Sequence, residues 1–167
     1  EARTALRPPL SRLTRDERPL RAVTERDLPA LAELFYAAYH ETMDDLGEDI
    51  AAWQLHLEDV AQGRFGDWIA AASLVTPLSA PLDSATMVIR LGAQIAMLGQ
   101  IVTRRSRANR GLASALLRHS LNTLAGLGYR QCFLETTIGN HNAQHLYRKH
   151  GFAEVGPRIV YAEWRGS

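Results

Sequence analysis

The run from Thr103 to Ala113, which reads Thr-Arg-Arg-Ser-Arg-Ala-Asn-Arg-Gly-Leu-Ala, combines four arginines with several small residues. It lies between an apolar, strand-like segment and an amphipathic helical pattern. The first N–H groups of a helix have no intrahelical partner, and the helix dipole adds partial positive charge there. Small residues let a ligand approach the backbone, so this run is suited to bind an anion such as a pyrophosphate. The alternative is that Gly111 only opens the helix and the arginines are solvated.

Other groupings of reactive residues are weaker. The turn is neither a P-loop nor a dinucleotide-binding fingerprint, because the required glycines and lysine are absent. His141 and His145 are four residues apart, with His150 nearby, but no Glu follows the first as in an HExxH site, so we expect no metal. Cys132 lies in the middle of an apolar segment and is expected to be a buried thiol rather than a nucleophile.

The charges are distributed unevenly, although the formal net charge is only +1. From Ser84 to Leu134 there is no acidic residue, whereas seven arginines lie in this stretch. From Glu25 to Asp67 eleven acidic residues accompany only two arginines. The middle of the chain is therefore expected to attract an anion, and the first third a cation.

Length and composition indicate one globular domain. A chain of 167 residues with 46% hydrophobic residues can bury a substantial core. We interpret residues 1–18, which are rich in Arg and Pro, as an N-terminal arm and residues 19–167 as the domain. The chain has no run of 18 apolar residues, so we expect no membrane-spanning helix. The single cysteine fits a reducing, cytoplasmic setting.

Hydrophobic periodicity and turn residues predict alternating strands and helices. We expect four helices, at 28–39, 49–62, 112–127 and 142–150. Strands are expected at 19–23, 68–76, 85–91, 94–103, 131–136 and 158–164. This order predicts a single α/β layer with helices on its faces.

Downstream of the turn, a strand ends in Leu-Glu-Thr-Thr-Ile-Gly-Asn, and Ala-x-x-Leu-Tyr and Gly-Phe follow at short intervals. With these residues the chain resembles the GNAT superfamily of N-acetyltransferases, closely from Thr103 to Phe152. In that family Gln or Arg stands three residues before the first glycine of the phosphate turn, whereas Ala108 stands here. The matching positions are Gly111, Leu112, Ala113, Asn140, Ala143, Leu146, Tyr147, Gly151 and Phe152.

The resemblance implies an α+β fold with one mixed, mostly antiparallel sheet of six to seven strands and about four helices. It also implies that acetyl-CoA is the co-substrate and that Tyr147 is the acid that protonates the leaving thiolate. A Tyr pKa near 10 keeps such a donor protonated at neutral pH. Either Arg107 or Arg110 replaces the side chain missing at position 108, or the affinity for acetyl-CoA is reduced. The implied contacts to acetyl-CoA are Ile101, Val102, Thr103, Arg107, Ala108, Asn109, Arg110, Gly111, Leu112, Ala113, Ser114 and Asn140.

The general base is left open by the sequence. Glu135 lies on the strand beside the expected thioester, but the alternation of a strand could equally turn it away. Three acids after the first helix, Glu41, Asp44 and Asp45, are the alternatives, with a solvated acidic loop as the plain interpretation. A chain of water molecules without a dedicated base is also compatible with the sequence.

We therefore expect an acyl-CoA-dependent N-acetyltransferase that acts by direct attack of a primary amine. The acceptor would be a small molecule or peptide, and the acidic first third favours a cationic one. A sensor that binds acyl-CoA without catalysis and a nucleic-acid-binding module built on the arginines are the alternatives. We expect no nucleic-acid or membrane partner, and either a monomer or a homodimer.

Overall fold

A computed structural model describes residues 2–5 and 19–155 of the chain, and these form one sheet with four α-helices. Three short 3-10 turns, at Glu25–Asp27, Ala70–Ala72 and Arg105–Arg107, connect them. The helices are α1 (Leu28–Tyr39), α2 (Ile50–Ala61), α3 (Leu112–Gly126) and α4 (His141–Lys149). The strands are β1 (Ala2–Ala5), β2 (Arg21–Ala22), β3 (Asp67–Trp68), β4 (Leu74–Thr76), β5 (Ser84–Gly92), β6 (Ile95–Thr103), β7 (Gln131–Leu134) and β8 (Ala153–Glu154).

The sheet has the strand order β2-β4-β5-β6-β7-β1-β8, and β3 pairs separately with β5. Among the strands described, β6 and β7 are the one parallel pair, and the remaining pairs are antiparallel. A parallel pair needs a crossover connection, which α3 provides here. The longest pairing is the hairpin of β5 and β6, so these two strands form the centre of the sheet.

Alternation along β5 separates the two faces of the sheet, because successive side chains point to opposite sides. Ala85, Met87 and Ile89 belong to the core formed with α1 and α2. Val88 belongs to the core formed with α3, β7 and α4. The first two helices therefore cover one face, and the last two cover the other.

Local signals explain where α1 begins and ends and where α2 begins. Asp27 precedes α1, and Pro29 lies in its first turn, where a missing N–H is tolerated. The helix stops after Tyr39 because His40 has an extended ψ of 130°. The side chain of Asp49 accepts a hydrogen bond from Ala52 N and caps α2. Residues 40–49 are thus held between a helix end and a capped helix start.

The expected mixed, mostly antiparallel sheet with four helices is confirmed. The expected strand at 68–76 is wrong in detail, because it divides into β3, a 3-10 turn and β4. The buried hydroxyl of Ser73 accepts from Val88 N and Trp68 Nε1 and donates to Ile69 O, which stabilises the turn. Composition alone did not predict this turn in an apolar run.

The sequence also did not predict β1, since it lies in a segment that we interpreted as an arm. β1 lies between β7 and β8 and is antiparallel to both. β8 was not predicted either, and with β1 and the divided segment it brings the number of strands among the described residues to eight. The predicted strand at 158–164 lies outside the described residues, and the division into arm and domain stays a prediction.

Candidate active site

The parallel strands β6 and β7 separate partway along the sheet. Their pairing ends at Leu98 and Leu134, while β6 continues to Thr103. The register with β5 shifts at this point, since Val88 pairs with Leu98 and Met87 with Gln100, which leaves Gly99 as a bulge. Within the described part of the chain, the end of β6 therefore has a strand neighbour only on its β5 side. Its other edge can form hydrogen bonds with an extended ligand.

The arginine-rich turn connects the end of β6 to the start of α3. Asn109 and Gly111 adopt positive φ angles of 59° and 74°. Gly111 is the N-cap residue, so no side chain caps this helix. The first backbone bond of the helix runs from Ala115 N to Gly111 O. Among the described residues, the N–H groups of the three residues before Ala115 have no acceptor, which is the arrangement that binds anions.

Three of the four arginines in the turn are already engaged by the protein. Arg104 donates to the backbone oxygen of Leu82. Arg105 donates to His40 O at 2.7 Å. Arg107 lies 3.4 Å from the carboxylate of Asp83. These contacts tie the turn to the β4–β5 connection and to the end of α1.

Arg110 is the arginine of the turn that is left exposed, without a hydrogen bond or ion pair to any residue that the structure describes. Ala108 and Asn109 are also exposed. Of the two arginines proposed to replace the missing side chain at position 108, Arg107 would have to leave its carboxylate partner to bind a ligand. Arg110 would not.

A cavity of about 530 Å³ opens beside the free end of β6. It lies between the end of α1, the loop at residues 40–49, the end of β6 and the start of α4. Four of the residues predicted from the resemblance, Ile101, Val102, Thr103 and Asn140, line it together. The other lining residues are Ala38, Tyr39, Thr42, Met43, Asp44, Gly139, His141 and Asn142.

Asp44 is the acidic residue in this lining. Its carboxylate accepts from Thr137 Oγ1 at 2.5 Å and from Asn140 Nδ2 at 3.2 Å. The other end of the Asn140 amide accepts from Ala143 N and caps α4. One network therefore links the loop at residues 40–49 to the start of α4 across the cavity.

Tyr147 is 7% exposed and is not among the residues that line the cavity. Burial, and secondarily the charge of Asp44, raises the pKa of its hydroxyl to about 12. Its ring packs edge-on against Phe152, with centroids 5.9 Å apart. Among the described residues the hydroxyl has no hydrogen-bond partner. A buried polar group without a protein partner is uncommon and often marks a functional site.

A second tyrosine, Tyr39, lies in the cavity wall. Its hydroxyl donates to Gln100 Oε1 at 2.7 Å. Its ring stacks on Trp53 and meets Phe35 edge-on. Burial raises the pKa of Tyr39, and the charges of Tyr147 and Asp44 raise it further. The sequence predicted Tyr39 only as the last residue of the helix at 28–39, so its place in the cavity wall was not predicted.

Glu135 does not join this cluster. It follows the last residue of β7, is exposed, and does not line the cavity. Of the three acids after α1 that were the alternatives, Glu41 and Asp45 also lie outside the lining, whereas Asp44 lies within it. The sequence offered no basis for preferring Asp44, because its partners Thr137 and Asn140 are more than 90 positions away along the chain.

Two other residues with reactive groups have structural surroundings. Cys132 is 1% exposed, and burial raises the pKa of its thiol to about 12, which confirms the expected buried thiol. His150 Nε2 hydrogen-bonds Ser114 Oγ in the first turn of α3, at 2.8 Å. Residues 2–5 and 19–155 contain no group of three or more potential metal ligands. The helices within the same residues include none that is long and apolar enough to cross a membrane.

Several solved structures share this fold. The chain superimposes on the ribosomal-protein-S18-alanine N-acetyltransferase of Escherichia coli with a TM-score of 0.67 and 20% identity, covering 85% of this chain and 81% of that one. For the protein PH1933 of Pyrococcus horikoshii OT3 the TM-score is 0.69 at 16% identity, with 84% and 92% covered. For the PaiA N-acetyltransferase of Thermoplasma acidophilum in complex with coenzyme A, the TM-score is 0.63 at 19% identity, and the match covers 80% of this chain and 88% of that one.

The sequence itself carries the family signature across most of its length. No curated protein matches the chain significantly. The model of the acetyltransferase (GNAT) family matches residues 28–152, which extends from the start of α1 to the residue before β8. The matched range includes the uncapped start of α3, the separated strands and the cavity. The chain belongs to the GNAT family of acetyltransferases.

Proposed function

We propose that this protein transfers an acetyl group from acetyl-CoA to a primary amine of a small molecule or peptide. The observation that carries this proposal is that three features of the fold have polar groups that the described residues do not satisfy. These are the free edge of β6, the uncapped start of α3, and the buried hydroxyl of Tyr147, which is close enough to Asp44 to be affected by its charge. Each leaves polar groups without a protein partner among the described residues, and acetyl-CoA has complementary groups for all three.

Each feature suits one part of the co-substrate. The N–H groups from Leu112 to Ser114 would hold the pyrophosphate, as such helix starts do in other proteins. The edge of β6 from Ile101 to Thr103 would pair with the amide groups of the pantetheine arm. Asn140 would lie near the thiol end, since it lines the cavity. The acetyl group would then lie in the cavity, between Asp44 and Tyr147.

The reaction forms a C–N bond and breaks the C–S bond of the thioester. A cationic acceptor first loses a proton to solvent. The neutral amine then attacks the carbonyl carbon, sulfur leaves with the electron pair, and the nitrogen loses a second proton to solvent. Tyr147 would donate a hydrogen bond to the departing sulfur. Its pKa of about 12 lies above the pKa of about 8.5 typical of a thiol. The hydroxyl would therefore stabilise the thiolate by a hydrogen bond, and solvent would protonate the sulfur, which differs from the acid role that the family resemblance implies for Tyr147.

A sensor that binds acetyl-CoA without transfer is the second candidate. The observation in its favour is Ala108, which cannot contribute a side-chain contact, together with the pairing of Arg107 to Asp83. The nucleic-acid alternative is less favoured, because three arginines of the turn are bound to protein groups.

The deciding experiment measures thiol release from acetyl-CoA in the presence of a panel of amines. An increase over the amine-free rate, lost in Tyr147→Phe, is expected for a transferase. A higher melting temperature with CoA but no release with any amine would support the sensor. A thermal shift with oligonucleotides and none with CoA would overturn both.

A further inference from the structure

We infer that Asp44 and Tyr39 form the subsite for the acceptor amine, and that this acceptor is a primary monoamine with an apolar body. The inference rests on the proposed transferase function. It goes further by assigning the contacts that recognise the acceptor and the class of acceptor that fits them.

Asp44 differs from the neighbouring acids in what surrounds its carboxylate. Asp45 accepts from the backbone N–H groups of Glu41 and Gly47, at 2.7 and 2.9 Å. Asp49 is used as the cap of α2. These acids face their own loop, whereas Asp44 faces the cavity.

The carboxylate of Asp44 keeps acceptor capacity for a ligand. An ionised carboxylate has about four lone-pair sites, and Thr137 and Asn140 use two of them. These two donors also fix the orientation of the carboxylate. A cationic amine would therefore meet a charge that is already positioned, which reduces the ordering cost of binding.

Tyr39 supplies the second acceptor. Its hydroxyl proton is directed to Gln100 Oε1, so the lone pairs of its oxygen are left for another donor. Stacking on Trp53, at a centroid distance of 5.3 Å, fixes the ring. Tyr39 and Asp44 both line the cavity, and Asp44 is close enough for its charge to raise the pKa of Tyr39. Two N–H groups of one amine would bind these two oxygens.

The rest of the cavity defines the body of the acceptor. Met43 lines it and is 63% exposed, and its flexible thioether adapts well to apolar ligands. Gly139 lies beside Met43, since a Cβ added at that position would be in ordinary van der Waals contact with Met43 Cε, at 3.5 Å. Ala38 adds apolar surface on the side of α1. An apolar group beside the amine would cover the exposed methionine.

The charges of the lining limit the acceptor to a single positive charge. The lining residues include one carboxylate, Asp44, and no Lys or Arg. A second ammonium group would find no further carboxylate there, and a carboxylate beside the amine would meet Asp44 without a cation to balance it. A monoamine is therefore a better match than a polyamine or an amino acid.

The test compares three acceptors on the full chain: 2-phenylethylamine, spermidine and phenylalanine. We expect kcat/KM to be highest for 2-phenylethylamine. Asp44→Asn keeps the hydrogen bond from Thr137 but removes the charge, and should raise KM for 2-phenylethylamine about tenfold. Its KM for acetyl-CoA should change less, by no more than about twofold, because Asn140 keeps its hydrogen bond from Ala143 N. Glu41→Gln, the matched control in the same loop, should change neither value by more than about twofold.

Tyr39→Phe keeps the stacked ring and should raise the same KM about three- to tenfold. Equal effects of Asp44→Asn and Glu41→Gln, or a preference for spermidine or phenylalanine, would overturn the inference while the transferase function stands. If no amine releases thiol, calorimetry with 2-phenylethylamine and the CoA-bound protein decides. Binding weakened in Asp44→Asn supports the subsite without catalysis, and no binding to the unmutated chain overturns it.

Discussion

Tyr147→Phe removes one oxygen atom from the buried side chain beside the cavity. The hydroxyl has no partner among the described residues, and the side chain is 7% exposed. Burying an unpaired hydroxyl costs about 1–3 kcal/mol. Removing it should therefore leave the free energy of unfolding unchanged or raise it by about 1 kcal/mol, because the ring keeps its edge-on contact with Phe152. For a chain of this size, 1 kcal/mol corresponds to about 2–4 °C in melting temperature.

Catalysis should change in the opposite direction. A hydrogen bond to a charged group contributes about 1.5–3 kcal/mol, so losing the bond to the departing thiolate should lower kcat about 10- to 150-fold. The effect should fall on kcat rather than on KM for acetyl-CoA, since this bond strengthens only as the C–S bond breaks. Together these values predict a variant that is at least as stable as the unmutated protein and much slower.

The assay combines thermal unfolding with thiol release at saturating acetyl-CoA. Tyr129→Phe is the control, because Tyr129 packs against the same core but precedes β7, at the end of β6 opposite to the residues that line the cavity. With a pKa of about 12, Tyr147 should also cause no fall in kcat between pH 8 and about 10. A variant that is less stable by more than about 1 kcal/mol, with kcat unchanged, would show that Tyr147 is a packing residue only.

Three further changes test other parts of the structure. Gly111→Ala, at a φ of 74°, should cost about 1–2 kcal/mol of stability by chemical denaturation and weaken CoA binding in calorimetry. A hydrogen bond from Arg21 lowers the pKa of Asp27 to about 2. The ionised carboxylate should therefore add about 1–2 kcal/mol to the free energy of unfolding, after allowing for the partly exposed Arg21. This contribution is present above about pH 4 and is lost towards pH 2. Acid titration of Asp27→Asn should lack this loss. Burial, with nearby cations, lowers the pKa of His150, so the free energy of unfolding should fall as the pH drops below about 6.5. In urea unfolding, His150→Gln should show a weaker dependence of this free energy on pH.

The sequence predicted the elements best where a local signal marks their ends. The side chain of Asp49 caps the start of α2, and Gly128, with a positive φ of 87°, follows the end of α3. The predicted limits of both helices are within one or two residues of the observed ones. The segment at 68–76 lacks such a signal. Its division depends on Ser73, whose hydroxyl bonds residues of another strand. Contacts of that kind depend on the tertiary fold and cannot be inferred from a periodicity.

The residues of the candidate site also differ in whether the sequence could predict them. Asn140, Tyr147 and the turn before α3 could be predicted because their spacing in the sequence resembles a family pattern. Asp44 could not be separated from its acidic neighbours, because the distinction comes from Thr137 and Asn140 on the far side of the cavity. Tyr39 has the spacing of a core residue and is indeed packed as one. Only the fold shows that it also lines the cavity.

The arrangement of partners around the turn also changes the meaning of Ala108. Arginines are the obvious ligands for a pyrophosphate in this sequence, yet Arg104, Arg105 and Arg107 already bind protein oxygens. The groups left without partners among the described residues are backbone N–H groups at the start of α3. If these carry the affinity, a missing side chain at position 108 costs little. Arg110→Ala should then weaken CoA binding only about two- to fivefold, less than Gly111→Ala, which displaces the backbone itself. The reverse order in calorimetry would show that side-chain charge, and not the helix start, holds the pyrophosphate.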